Sequence, residues 1–180
     1  MSNGILYRFK QFWWGIRAKP LTTEQMTHIR TILSAEQFTL YQKYSINDQQ
    51  HGYRVLQHLQ QAGYKDPELL TAGLLHDVGK SKSDMTVIDR SIVVLGRILV
   101  KKQTEIWGQH PLEQASWWQR PFVIREQHPA WGADMAQEIG CTPQVLRLIY
   151  HHQDDLETAG FNDPHFETLL AQLQWADDLS

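Results

Sequence analysis

Apolar residues recur along the chain every three to four positions, which is the spacing of one face of an α-helix. One such stripe, in the segment 47–62, consists of His51, Val55, Leu59 and Ala62. A second stripe, near the end of the chain, consists of Phe166, Leu169, Leu170, Leu173 and Asp177. The sequence contains no alternation of apolar and polar residues long enough to indicate a sheet. The pattern predicts an all-α protein.

Capping residues, glycines and prolines mark where these helices begin and end. Two capping boxes, in which side chains satisfy free backbone N–H groups, are formed by Thr22 with Gln25 and by Ser34 with Gln37. Asn47 and Asp48 are expected to cap the next helix, which Gly63 ends. Further starts are predicted where a proline supplies the first helical turn, at Asp66–Pro67, His128–Pro129, Thr142–Pro143 and Asp163–Pro164. Gly79 is expected to end the helix that begins at Pro67, and another apolar helix is predicted from Val87 to Lys101.

The length and composition are those of an ordinary globular domain. The chain has 180 residues, of which 42% are hydrophobic and 21% charged, and a chain of this size can bury a single core. We therefore expect a compact single-domain helical bundle over residues 46–180. Residues 1–45 are expected to form a short N-terminal helical extension packed on it.

Charge and cysteine content narrow the classes of function. A formal net charge of -3 leaves no positive excess to neutralise a phosphate backbone, so stable nucleic-acid binding is not expected. The single cysteine, Cys141, cannot form an internal disulfide, which fits a reducing, cytoplasmic location. The longest apolar stretch, Ser91–Val100, is interrupted by Arg97 and is too short to span a bilayer.

The N-terminal stretch Leu6–Lys19 interleaves aromatic and basic residues. Such a segment can lie on an anionic membrane surface. The favoured interpretation is that this segment docks on its own domain, or on a second subunit in a homodimer. Burying the large apolar surface of its aromatic side chains is energetically favourable.

Several histidine and aspartate side chains are predicted to point into the core. His76 and Asp77 close an apolar helix, and their side chains diverge by about 100°, so both can reach one ion beside the helix. His51 and Asp177 each continue an apolar stripe. A buried, unpaired carboxylate is costly, and a metal ion would satisfy both residues.

The segments that contain these residues resemble the HD-domain superfamily of metal-dependent phosphohydrolases over about residues 48–178. The matching segments are Gln50–Leu56 (QHGYRVL), Leu74–Lys80 (LLHDVGK) and Ala176–Asp177. The resemblance implies that His51, His76, Asp77 and Asp177 ligate one divalent ion that activates a water for attack on phosphorus. It also implies that Asp77 orients this water and that Lys80 meets a substrate phosphate.

Part of the superfamily, including the HD-GYP cyclic-dinucleotide phosphodiesterases, is similar in having further histidines that bind a second ion. His128 and His151 resemble those positions, and His152 is expected to support the ligands or contact the substrate. Two departures matter here: no Gly-Tyr-Pro sequence follows His152, and Asn47 stands where a glutamate is expected in three-metal members. Specificity for a cyclic dinucleotide and a third ion are therefore not implied.

The resulting hypothesis is hydrolysis of a small phosphomonoester or phosphodiester, such as a nucleotide, with one or two divalent ions (Mn, Fe, Mg, Co or Ni). One alternative is an HD-like signalling or ligand-sensing module without turnover. Another is oxygen-dependent chemistry at a di-iron centre, because imidazole and carboxylate ligands suit iron as well as manganese. The complete ligand set favours the enzyme, because a degenerate module usually loses ligands.

Overall fold

The structure is a computed structural model that describes residues 19–83 and 87–180. Within these ranges the chain forms α-helices and one 3₁₀-helix and no strand, which confirms the all-α class. The α-helices are α1 (Thr23–Ile32), α2 (Ala35–Tyr41), α3 (Ile46–Gln61), α4 (Pro67–Leu75), α5 (Val87–Gly108), α6 (Arg120–Glu138), α7 (Pro143–His151), α8 (Leu156–Ala159) and α9 (Pro164–Asp178). The 3₁₀-helix covers Val78–Lys82. The aromatic and basic stretch predicted over Leu6–Lys19 lies, except for Lys19, outside the described residues.

The chain groups into two compact units. The larger unit comprises Leu21–Lys82 and His128–Ser180, and the other contains Ser83–Gln127. The second unit holds α5, whose helical backbone is interrupted at Val100. α1 and α2, which fall in the predicted extension, contribute buried residues to the core of the larger unit. A domain boundary at residue 45 stays a prediction.

The core of the larger unit surrounds α4. Every residue from Leu69 to Leu75 is buried, as expected for a helix that is apolar on all sides. α4 packs against α3, α7 and α9, and α9 also packs against α3 and α7. The residues at the C-terminal end of α4 therefore lie where several helices meet.

Two glycines allow the close contacts that assemble this region. A Cβ atom on Gly52 would lie 3.0 Å from the backbone oxygen of Leu74, so α3 approaches α4 directly beside His51. A Cβ atom on Gly79 would lie 2.0 Å from the backbone oxygen of His128, which is far inside contact distance. α6 can therefore rest on the turn that follows Asp77 only because residue 79 has no side chain.

Most helices start where the sequence predicts. Both capping boxes are present, and Asp66, Thr142 and Asp163 cap α4, α7 and α9. Gly63 has the left-handed φ of 86° expected of a helix stop. α3, however, is capped by Ser45 rather than by Asn47 or Asp48. The Ser45 side chain accepts a hydrogen bond from the backbone N–H of Asp48.

Three further details of the expected helices were wrong. α6 begins at Arg120, so Pro129 lies inside the helix and His128–Pro129 does not start it. A proline there removes one helical hydrogen bond, but the preceding residues Phe122, Val123 and Ile124 are buried, and that burial favours a helix continuing from Arg120. The helix from Pro67 ends before Gly79, because His76 already caps it. Ala62, at the end of its predicted stripe, is exposed.

Among the described residues, none of the helices combines the length and the apolar character that crossing a membrane requires.

Candidate metal centre

The first group of candidate ligands lies where α3, α4 and α9 meet. The Nε2 atom of His51 is 2.8 Å from Oδ1 of Asp177 and 3.2 Å from Nε2 of His76. Nε2 of His76 is 3.5 Å from Oδ1 of Asp177 and 3.5 Å from Oδ2 of Asp77. The structure thus brings together the four residues that the family resemblance implied for one ion.

His76 is oriented by its own helix. It is fully buried, and its Nδ1 lies 3.1 Å from the backbone oxygen of Gly73. A carbonyl can only accept a hydrogen bond, so Nδ1 carries the proton and donates it. The lone pair of the neutral ring is then on Nε2, which faces His51 and the two carboxylates.

A second group lies on the other side of Asp77. Nε2 of His128 is 3.1 Å from Oδ1 of Asp77, and Nε2 of His152 is 3.2 Å from Nε2 of His128. The three side chains are buried. Nδ1 of His152 donates to the backbone oxygen of Ile149 at 2.7 Å, so its Nε2 also presents a lone pair. Two imidazole nitrogens and a carboxylate oxygen therefore converge on one point.

Asp77 belongs to both groups. Its Oδ2 atom lies on the side of His51 and His76, and its Oδ1 atom lies on the side of His128 and His152. The adjacent 3₁₀-helix places Lys80 on the first side, with its Nζ 2.5 Å from Oδ2 of Asp77. The carboxylate is thus shared between the two groups, and a cationic side chain lies against it.

The structure places His151 outside both groups, although the sequence favoured it over His152 as a ligand. Its Nδ1 lies 2.6 Å from Oδ2 of Asp154, and its ring packs edge-on against Tyr150 and Phe166. Consecutive helical residues point about 100° apart, so only one of the two histidines can face His128. The structure therefore places His152, rather than the predicted His151, beside His128, and His151 closes the turn after α7.

The sequence contained a signal that selects His152. It lies four residues after Leu148 and three after Ile149, both of which are buried, so it continues the apolar face of α7. His151 instead follows Arg147 by four residues. Sequence reasoning also missed Gln153, whose side-chain nitrogen is 3.3 Å from Nε2 of His128.

Charge in the first group keeps both carboxylates ionised. Burial raises the pKa of Asp77, but the charges of Lys80 and His76 outweigh it and bring this pKa well below its usual range. The pKa of Asp177 is likewise lowered, because the charge of His76 and the hydrogen bond from His51 outweigh the effect of burial. Two carboxylates therefore stay negative at any physiological pH.

The buried histidines differ in protonation. Burial lowers the pKa of His76, yet the charges of Asp77 and Asp177 prevail and raise it to about 9. Burial dominates at His128 and lowers its pKa to about 4. At neutral pH and without a bound ion, His76 is charged and His128 is neutral. A cation would displace the proton of His76 and find His128 ready as a ligand.

The spacing of these atoms fits bound divalent ions. Ligand atoms about 2.1 Å from an ion lie about 3.0 Å apart along an octahedral edge and about 3.4 Å apart along a tetrahedral edge. In each group, the histidine Nε2 atoms lie 2.8 to 3.6 Å from one another and from the carboxylate oxygens. Imidazole and carboxylate are also the ligands that first-row divalent metals share. We call these groups the first cluster (His51, His76, Asp77 and Asp177) and the second cluster (Asp77, His128 and His152).

Comparison with protein families agrees with this geometry. A family model described as HD domain matches residues 49–180, a range that includes every residue of both clusters. The chain therefore belongs to the HD domain family, whose members are usually metal-dependent hydrolases. Searches of curated proteins and of solved structures found no match.

Proposed function

We propose that this protein is a phosphohydrolase that binds two divalent ions and hydrolyses a small phosphomonoester or phosphodiester, such as a nucleotide. The observation that carries the proposal is the shared carboxylate of Asp77, with one oxygen toward each cluster. A carboxylate in this position supports a pair of ions that act together on the attacking and leaving oxygens. The family membership supports the reaction class.

Each residue has a distinct part in this proposal. His51, His76 and Asp177 would hold the first ion, His128 and His152 would hold the second, and Asp77 would offer one carboxylate oxygen to each. Divalent ions at such sites lower the pKa of a bound water and offset charge on phosphoryl oxygens. Asp77 is then also placed to accept a hydrogen bond from the attacking water and to orient it toward phosphorus.

Lys80 is proposed to bind the substrate. Its ammonium group contacts the carboxylate that faces the first cluster, so it can reach a phosphoryl oxygen bound there. A charged donor stabilises the extra negative charge that phosphoryl oxygens carry during attack. The lysine side chain is partly exposed, so it can change partners as substrate enters.

The test combines ion content with turnover. Purified protein would be analysed for bound metals and assayed with Mn²⁺ on p-nitrophenyl phosphate and bis-p-nitrophenyl phosphate. Two ions per chain with turnover would support the proposal, and one ion with turnover would restrict it to the first cluster. Bound ions without hydrolysis of either ester would favour a sensing module, whereas bound iron with oxygen-dependent turnover would favour a di-iron oxygenase.

A matched pair of variants ties the result to the site. His128→Ala removes a buried ligand, whereas His165→Ala removes an exposed histidine at the start of α9. We expect the first variant to lose the second ion and most activity and the other to behave as the unmodified protein. Equal activity in both would contradict the two-ion proposal.

A further inference from the structure

The side chain of Gln174 links α9 to the turn that follows α7. Its Nε2 atom donates to the backbone oxygen of His152 at 3.1 Å and to that of Asp154 at 2.7 Å. Both acceptors are carbonyls just beyond the end of a helix, where backbone oxygens lack partners within the helix. One amide group therefore satisfies two carbonyls and fixes the path of the chain on either side of Gln153.

The turn that Gln174 contacts carries a ligand of the second cluster. The ring of His152 is oriented by its bond to Ile149, but that bond fixes the ring only relative to α7. The turn itself is closed by the pair between His151 and Asp154 and by the bond from the Asp154 backbone N–H to the His151 oxygen. Gln174 supplies the hydrogen bonds from α9 to the carbonyls of this turn, and the edge-on packing of the His151 ring against Phe166 is a further, apolar contact between the end of α7 and α9.

α9 also supports the first cluster. Asp177 lies three residues after Gln174, so the two side chains leave the helix about 60° apart. Asp177 contacts His51 and His76 directly. Its position therefore does not depend on the amide of Gln174, whereas the turn of His152 does.

We infer that Gln174 is the positioning residue of the second cluster: its two hydrogen bonds hold the backbone of His152 at the distance from Asp77 that a second ion needs. The inference rests on the proposed two-ion function. Residues that orient metal ligands typically change metal affinity by about 10- to 100-fold when replaced. If Gln174 had a purely structural role, its replacement would lower the stability of the fold and would affect the affinities for the two ions equally.

The experiment measures the two ion affinities separately. Ion-free protein would be titrated with Mn²⁺ by calorimetry, and its thermal unfolding would be followed in parallel. Gln174→Met keeps the length of the side chain and removes the donor. Gln172→Met is the matched control, because residue 172 lies on the same helix and points about 200° away from residue 174.

We expect Gln174→Met to weaken the second Mn²⁺ site by about tenfold or more while the first stays within about twofold. The control should keep both affinities. Unchanged binding of the second ion in Gln174→Met, or equal weakening of both ions, would overturn the inference. If Gln174→Met does not fold, Gln174→Asn serves instead, because its shorter amide cannot reach both carbonyls.

Failure of the inference and failure of the proposed function give different results. If the unmodified protein binds a single Mn²⁺ ion, the second cluster is not an ion site and the inference falls with it. If the unmodified protein binds two ions and hydrolyses phosphoesters while Gln174→Met also binds two with unchanged affinity, the function stands and only the role of Gln174 is lost.

Discussion

Oδ1 of Asp77 lies 3.1 Å from Nε2 of His128, a residue 51 positions later in the chain, while Oδ2 of the same carboxylate faces His51 and His76. A carboxylate that is shared in this way makes the two clusters depend on one side chain. Removing it should therefore affect both ions at once.

Replacing Asp77 by alanine should abolish retention of both ions and reduce hydrolysis by at least about 100-fold, because a shared ligand and the orientation of the water are lost together. Replacing His76 by alanine should cost the first ion and reduce hydrolysis to a similar extent, because it removes a buried ligand of the first cluster. Circular dichroism should show helical content close to that of the unmodified protein. Asp178→Ala, which changes an exposed neighbour of Asp177, is the control. Full activity in either ligand variant would refute the site.

Replacing each of the two adjacent histidines separates their parts. His152→Ala should lose the second ion and most of the turnover, because it removes a nitrogen 3.2 Å from Nε2 of His128. His151→Ala should keep both ions. It should lose at most about 1 kcal/mol of stability, because the pair that it breaks, between His151 and Asp154, is partly exposed. Elemental analysis and urea unfolding would measure these effects. The opposite pattern would restore His151 as the ligand.

Adding one methyl group at Gly79 should disturb the second cluster. Its Cβ would lie 2.0 Å from the backbone oxygen of His128 and 2.7 Å from the nitrogen of Gly132, so α6 must move away from Asp77. We expect Gly79→Ala to cost about 1 to 3 kcal/mol and to weaken the second ion. In the control, Gly73→Ala, the new atom meets side chains and no backbone atom: the flexible end of Leu59 at 2.9 Å and a methyl group of Val55 at 3.4 Å. Similar results for both variants would contradict this account.

Neutralising Lys80 should have opposite effects on ion binding and on turnover. Lys80→Met removes a positive charge 2.5 Å from Oδ2 of Asp77, so Mn²⁺ affinity should stay the same or rise. Loss of a charged hydrogen bond to phosphate should lower kcat/KM by about 10- to 100-fold. Lys82→Met is the matched control, since that ammonium lies over the Trp131 ring. A weaker ion site in Lys80→Met would mean that Lys80 supports the ligands rather than the substrate.

The ion-free protein should be most stable near pH 6.5. The pKa of His76 is raised to about 9, so its contribution to stability is fully present below the ordinary value of 6.5 and is lost as pH rises through 9. The pKa of His128 is lowered to about 4, so its contribution is present above 6.5 and is lost as pH falls toward 4. Urea unfolding of chelator-treated protein from pH 4 to 10 would show the maximum. A stability that rises steadily through pH 9 would contradict it.

Much of the fold follows from local patterns in the sequence. The helical periodicity and the caps at Thr22, Ser34, Asp66, Thr142 and Asp163 depend on residues within one turn of each other, so they can be recognised without tertiary contacts. The start of α6 could not be placed in this way. Pro129 is a typical first-turn residue, and only the burial of the residues before it shows that the helix continues through it.

The sequence predicted one part of the candidate site better than the other. The residues of the first cluster were identified from motifs with fixed local sequence, and the structure brings them together. The choice between His151 and His152 required knowing which face of α7 meets α6, which is a contact between distant segments. The role of Gly79 was missed for the same reason. The sequence around it indicates only a helix stop, whereas its close approach to His128 is a contact between distant segments.

The candidate ligands of the two clusters come from α3, the end of α4, α6, the end of α7 and α9. Bound ions would therefore act as cross-links between segments that unfolding separates, and denaturation would have to release them. A ligand that binds only the folded chain adds about 2.7 kcal/mol of stability at a free concentration 100 times its Kd. The melting temperature of this protein should then follow the free concentration of metal in its surroundings, so that starvation for the ion would reduce its abundance as well as its activity.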